Sequence, residues 1–170
     1  MDDIDFVENL TEIYKDMRKT VIESRTSSRA RLVWNVGIAG FALLNAKPYW
    51  DAIAGSAITG VNIAWLSLPW ILSAFLGVIA YFLVDESAKK EETFFSLIIA
   101  DLNFFKFEID EKGVNAEELK KINKGEKPPT NAAKRKAATW RKWSKWFEFL
   151  TFACLVLGFI WAAIGPLMLK

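Results

Sequence analysis

Apolar positions along this chain fall into three long runs with charge crowded between them: 32–49, broken only by Lys47, then 52–84, then 147–169. Sustained runs of that kind predict membrane-spanning helices rather than the one-sided faces of a soluble core. The last run contains a single ionised residue, Glu148, at its basic edge, which leaves about 20 residues to cross a bilayer. The first run has 18 residues, or roughly 27 Å of helix against a hydrocarbon core of about 30 Å. Arg31 can snorkel at its inner end and Trp50 can anchor its outer end. The middle run is too long for one crossing and is interrupted by "LSLPW" at 66–70. Proline suits a first helical turn, so a second span is expected to begin near Leu68, with Trp65 and Trp70 at the outer interface. Residues 55–64 then form a short external or re-entrant segment; a four-span reading, in which they cross separately, stays open.

The polar segments have their own periodicity. Val7, Leu10, Tyr14, Met17 and Val21 recur at spacings of 3, 4, 3 and 4, the seam of a packed helix. Its expected partner is "FFSLIIADLNFFKF" at 94–107, apolar over a broad helical face but too short and polar for a further crossing. Asn115 with Glu118 three residues on resembles a capping box; Gly125 then closes a short helix and Pro128 with Pro129 stops further winding. From Asn131 strong helix formers run without glycine or proline to Gly158. The expected fold is all-α: an integral membrane protein of three spans whose helices extend into a cytoplasmic bundle. It divides into a cytoplasmic N-terminal helix (1–31), two spans (32–84), a cytoplasmic helical hairpin (85–146) and a third span (147–170).

Charge orients this arrangement. Six of the 22 lysines and arginines precede Leu32 and fourteen lie between Asp85 and Lys145, so the positive-inside rule predicts a cytoplasmic N-terminus and loop and an external C-terminus. The polar first 31 residues are unlike a cleaved signal peptide, and the first span is expected to act as an anchor. One cysteine and no histidine exclude an intrachain disulfide, Cys/His metal sites and the Ser-His-Asp and Cys-His arrangements. No catalytic residue, cofactor or metal ligand is therefore assigned, and an enzyme is a distant reading. With no charge near the middle of any span, proton-coupled transport and voltage sensing are disfavoured.

Three sets of residues stand out. Thr20, Ser24, Ser28, Arg31, Asn35, Ala42 and Asn45 lie close to one face of the first helix; this seam either packs against other helices or lines a lumen shared by several protomers. Gly37 and Gly40, with Cys154, Gly158 and Ala162 at small-xxx-small spacing, predict close helix contacts. Trp50, Trp65, Trp70, Trp140, Trp143 and Trp146 are candidate interfacial anchors. The last three belong to "KRKAATWRKWSKW", which suits either single-stranded nucleic acid or a headgroup layer. Its position beside a span favours anionic lipid, at about 1 kcal/mol for each basic residue near the surface.

"SSRARLVWNVGIAGFALLNA" and "KRKAATWRKWSKW" resemble the first span and the Arg/Trp-rich lead-in of small bacterial multi-pass membrane proteins. The arrangement is distantly similar to the SLATT-type membrane effectors of bacterial immunity, from which a third span after a long hairpin sets it apart. That resemblance implies action on the membrane; the polar seam motivates the leading expectation, a non-enzymatic bacterial inner-membrane protein that self-associates, as a pore-forming or membrane-perturbing effector in stress or phage defence. The alternative expectation is a membrane-anchored adaptor or sensor subunit whose hairpin at 94–130 docks a cytoplasmic protein.

Overall fold

The computed structural model describes residues 3–54, 60–112 and 115–168, and among them finds only helices, turns and short connections. Four helices follow in order: α1 (Asp3–Ala54), α2 (Gly60–Lys112), α3 (Ala116–Lys124) and α4 (Pro128–Met168). The described residues are all-helical apart from turns and short connections, as the periodicity predicts. Two stretches, Ser67–Ile109 in α2 and the portion of Glu117–Ile164 in α4, contain windows long and apolar enough to cross a membrane. Residues 55–59, the first half of the expected external or re-entrant segment, lie outside the described residues, as does the side chain of Trp50, and 60–64 belong to α2.

Prolines mark the helix boundaries less sharply than the sequence predicts. α2 begins at Gly60, not near Leu68, and carries Pro69 inside it; α1 likewise runs through Pro48 to Ala54. A proline ring withdraws one N–H and so leaves the carbonyl four residues earlier without its usual donor, but a helix supported by packing on either side tolerates that loss. Pro128 and Pro129 open α4 three residues ahead of the expected start at Asn131. There the missing N–H groups are ones a helix leaves unpaired in any case.

Contacts divide the chain into two compact units, Met1–Ser27 with Val84–Lys142 and Ser28–Leu83 with Trp143–Lys170. Each of the three long helices supplies one stretch to each unit.

The first unit is built on the predicted seam. Val7 and Tyr14 are buried with Ile98, Leu102 and Phe105 of α2 and Ile122 of α3, and Leu10, Phe94 and Phe95 pack against them. The segment at 94–107 is thus the partner of the N-terminal helix. Burying each such aliphatic side chain contributes about 1.5–3 kcal/mol. Met17, by contrast, is exposed, and Thr11 is buried in the same stretch, its hydroxyl satisfied by donating to the Val7 carbonyl at 2.8 Å. Tyr14 places its hydroxyl 2.8 Å from the Asn123 carbonyl and 2.7 Å from Asn123 Oδ1, where its proton can be shared; burial pushes the phenol above its ordinary pKa.

α3 is capped as expected. Asn115 Oδ1 accepts the Glu118 N–H at 3.2 Å, while Glu118 turns to Lys127 at 3.3 Å instead of completing a reciprocal box. At the other end Gly125 has φ +64°, its N–H bonds the Ile122 carbonyl, and the Glu126 N–H bonds that of Lys121, both at 2.9 Å. This is a Schellman closure, in which a left-handed residue satisfies the last carbonyls. Thr130, fully buried at the start of α4, donates to Asp101 Oδ2 at 3.0 Å.

The second unit has a different interior. Its core consists of Ala39, Ala46, Trp70, Leu155 and Ala162, with Ala42, Leu43 and Ala74 against it. Small residues bring the helices close. Gly77 sits where an added Cβ would overlap Val36 and stand 3.3 Å from Thr151 Cγ2. Ser73, fully buried, donates to the Thr151 carbonyl at 3.0 Å, and Thr151 in turn donates to the Phe147 carbonyl at 2.8 Å.

Candidate functional site

Helical spacing assembles a cleft in the second unit. Arg31, Trp34 and Asn35 are three and four residues apart on α1, and Glu148 and Phe152 are four apart on α4, so each set falls on one face of its helix. Together with Leu32 they line an open cavity of about 370 Å³. That lies at the small end of ligand sites, which run from about 300 to 1,000 Å³. Leu32, almost wholly buried, is the least exposed of the residues that line it.

The charges of this cleft are close but not closed on each other. Arg31 Nη2 and Glu148 Oε2 are 3.8 Å apart, beyond the roughly 2.7–2.9 Å of a charge-assisted hydrogen bond. Arg31 Nη2 donates instead to Ser28 Oγ at 3.0 Å, and Glu148 Oε1 accepts from Ser144 at 3.4 Å. Two of the six lining side chains are therefore ionic, Asn35 is polar and neutral, and Leu32, Trp34 and Phe152 are apolar.

Further along α1 a second cavity of about 300 Å³ is lined mainly by apolar side chains, among them Phe41, Trp70 and Phe159, with Asn45 at its edge. The Asn45 amide already donates to the Phe41 carbonyl of its own helix at 2.8 Å. Trp70 was expected at the outer interface, and here the structure corrects the sequence reading: the ring is only 4% exposed and packs edge-on against Phe159, with centroids 6.3 Å apart. A buried indole cannot act as a headgroup anchor. Trp65, Trp143 and Trp146 are exposed and Trp140 is partly so.

The seam read from the sequence is thus divided. Ser28, Arg31, Asn35, Ala42 and Asn45 lie in the second unit, with Arg31 and Asn35 in the cleft and Ala42 and Asn45 at the second cavity. Thr20 and Ser24 belong to the first unit and are exposed, Thr20 bonding the Asp16 carbonyl at 3.0 Å. Of the small residues, Gly158 and Ala162 are buried within the unit and Cys154 is partly so. A Cβ at Gly37 or Gly40 would meet nothing within 4 Å.

Sequence reasoning left Glu148, Trp34 and Phe152 out of the site, and Gly77 out of the packing set. Glu148 had a signal, as the one ionised residue between 147 and 169. The others are visible only once α4 lies beside α1. In the first unit the polar side chains form ion pairs: Arg141 grips the buried carboxylate of Glu91 through Nε at 2.6 Å and Nη2 at 2.5 Å, Arg18 meets Glu92 at 2.5 Å, and Arg25 and Lys89 both reach Asp85. Among the described residues no cluster of three acidic or cysteine side chains could hold a metal ion. No protein-family model, curated protein or solved structure matches this chain.

Proposed function

We propose that this chain is a self-associating, multi-pass protein of a bacterial inner membrane that acts on the bilayer itself, as a membrane-perturbing or pore-forming effector. The observation that carries this reading is the surface of the second unit. Trp34, Phe41 and Leu44 are 73%, 70% and 83% exposed, and Phe75, Phe82 and Phe149 are each more than half exposed. Their own unit has a core made largely of alanine. Apolar surface this extensive is unusual for a chain that stands alone in water, whereas in hydrocarbon it carries no penalty and helices associate through small residues and packing.

Within that reading all three long helices cross, with the first unit in the cytoplasm. α1 is the least apolar of the three, its Asn35 and Asn45 supported by the cleft and by the helix backbone. Self-association uses the strip Val33, Gly37, Gly40 and Leu44, whose glycines have open space above them.

The test is flotation with liposomes followed by dye release. The protein should float with vesicles, resist carbonate extraction and release an encapsulated dye in proportion to its surface density. A chain that stays monodisperse in detergent-free buffer and does not float would end the membrane reading. Native mass spectrometry in nanodiscs then gives the protomer number: a closed ring of four or more makes a shared lumen geometrically feasible, and a dimer favours bilayer disturbance.

One observation favours the adaptor reading as a second course. Phe104 and Phe107 on α2 of the first unit are 61% and 76% exposed, within the segment expected to dock a soluble partner. Replacing both with serine would abolish capture of such a partner and leave dye release unchanged.

A further inference from the structure

We infer that the cleft of Arg31, Trp34, Asn35, Glu148 and Phe152 is a binding site for the phosphoethanolamine headgroup of a membrane lipid. Phosphate is held by Arg31 and ammonium by Glu148. The assignment rests on the membrane reading above and gives it a lipid class.

The argument begins with the unclosed pair. A guanidinium has five N–H donors and a carboxylate about four acceptor positions. Among the described residues Arg31 makes one bond to Ser28 and a distant approach to Glu148, and Glu148 makes one bond to Ser144. Both groups retain bonding capacity toward a cavity of about 370 Å³. A ligand with only an anion would gain Arg31 and be repelled by Glu148; one with only a cation would meet the converse. A ligand that carries both charges a short linker apart satisfies the two together.

Chemistry narrows the choice among zwitterions. A primary ammonium has three N–H donors for Glu148, whereas a quaternary choline ammonium has none. Asn35 lines the same cleft, and its amide can donate to phosphate or accept from ammonium. Trp34 and Phe152 form apolar walls suited to the glycerol and first methylenes of the lipid. Exposed Trp143 and Trp146 lie just before Glu148 on α4, as indoles do at headgroup depth.

The test uses the full chain, with Glu148→Gln and Arg31→Gln, in vesicles of phosphatidylethanolamine, phosphatidylcholine and phosphatidylglycerol in equal parts. Flotation reads insertion, and native mass spectrometry of the gently solubilised protein reads which lipids stay bound. The wild type should float and retain phosphatidylethanolamine over phosphatidylcholine. Glu148→Gln should float equally and lower the ethanolamine-to-choline ratio by about fivefold, the upper end for a partly exposed ion pair. Arg31→Gln should lose the ethanolamine preference as well. Variants that float and carry the wild-type lipid mixture overturn the site while leaving the membrane reading intact. A phosphatidylglycerol preference that Arg31→Gln abolishes overturns it too, since the anionic lipid would then sit in the cleft itself and not on the basic run before Glu148. A wild type that fails to float removes the membrane reading and the site together.

Discussion

The indole of Trp70 occupies the space that a side chain at Gly158 would need. A Cβ there would overlap Nε1 and Cδ1 and stand 3.1 Å from Cε2. Glycine at 158 and tryptophan at 70 are therefore one packing unit, and the ring's burial against α4 explains why it is withdrawn from the surface.

Gly158→Ala should destabilise the folded chain. The added methyl meets a rigid ring rather than a flexible tip, and overpacking of this kind costs about 1–3 kcal/mol, against a gain of about 1 kcal/mol in helix propensity. Unfolding in mixed micelles, followed by Trp fluorescence, should show a lower midpoint for Gly158→Ala. Gly37→Ala, with nothing within 4 Å, should unfold at or above the wild-type midpoint.

Association should respond in the opposite order. Gly37→Leu combined with Gly40→Leu should leave the single chain folded, because a Cβ at either position meets nothing within 4 Å, but block close approach of a second helix. Native mass spectrometry in nanodiscs should report a smaller assembly for the double variant. An unchanged protomer number would show that the interface lies elsewhere.

Gly125→Ala tests the turn between α3 and α4. Its φ of +64° is left-handed, and a Cβ would stand 2.9 Å from Phe94 Cε2. Left-handed backbone costs a non-glycine residue roughly 1–2 kcal/mol, and the Phe94 ring must also shift. Hydrogen exchange should show faster opening of amides in 116–124, while those of 143–164 keep their protection.

Acid should weaken the first unit through Asp85. The hydrogen bond from Lys89, and then the bond and charge of Arg25, hold its carboxyl below the ordinary aspartate value. A lowered folded pKa means stability that is present above the unfolded value, about 3.9, and lost as pH falls through the folded one. Thermal unfolding monitored by helix content should therefore drop between about pH 4 and pH 2. Asp85→Asn should be less stable at neutral pH and lose less on acidification; equal acid sensitivity in the two proteins would place the responsible carboxylates elsewhere.

Much of this protein was written in its one-dimensional pattern. The 3,4 spacing of Val7, Leu10 and Tyr14 names a packed helix and its apolar complement at 94–107, because a helix repeats its face every 3.6 residues wherever it sits. Asn115 and Gly125 identify the ends of α3, since capping is settled within a few residues of the terminus. Two of the three apolar runs correspond to windows in α2 and α4 that, among the described residues, are long and apolar enough to cross a membrane. Pattern could not say that Pro69 and Pro48 lie inside helices, because tolerance of a missing backbone bond depends on the packing around it. Nor could it withdraw Trp70 from the surface, which required Gly158 on a helix more than eighty residues away to leave room for the ring. The cleft has the same origin: Arg31 and Asn35 were legible as polar positions on one face, but only α4 brings Glu148 within 3.8 Å of Arg31. Periodicity is a property of one helix, whereas a site of opposite charges belongs to two.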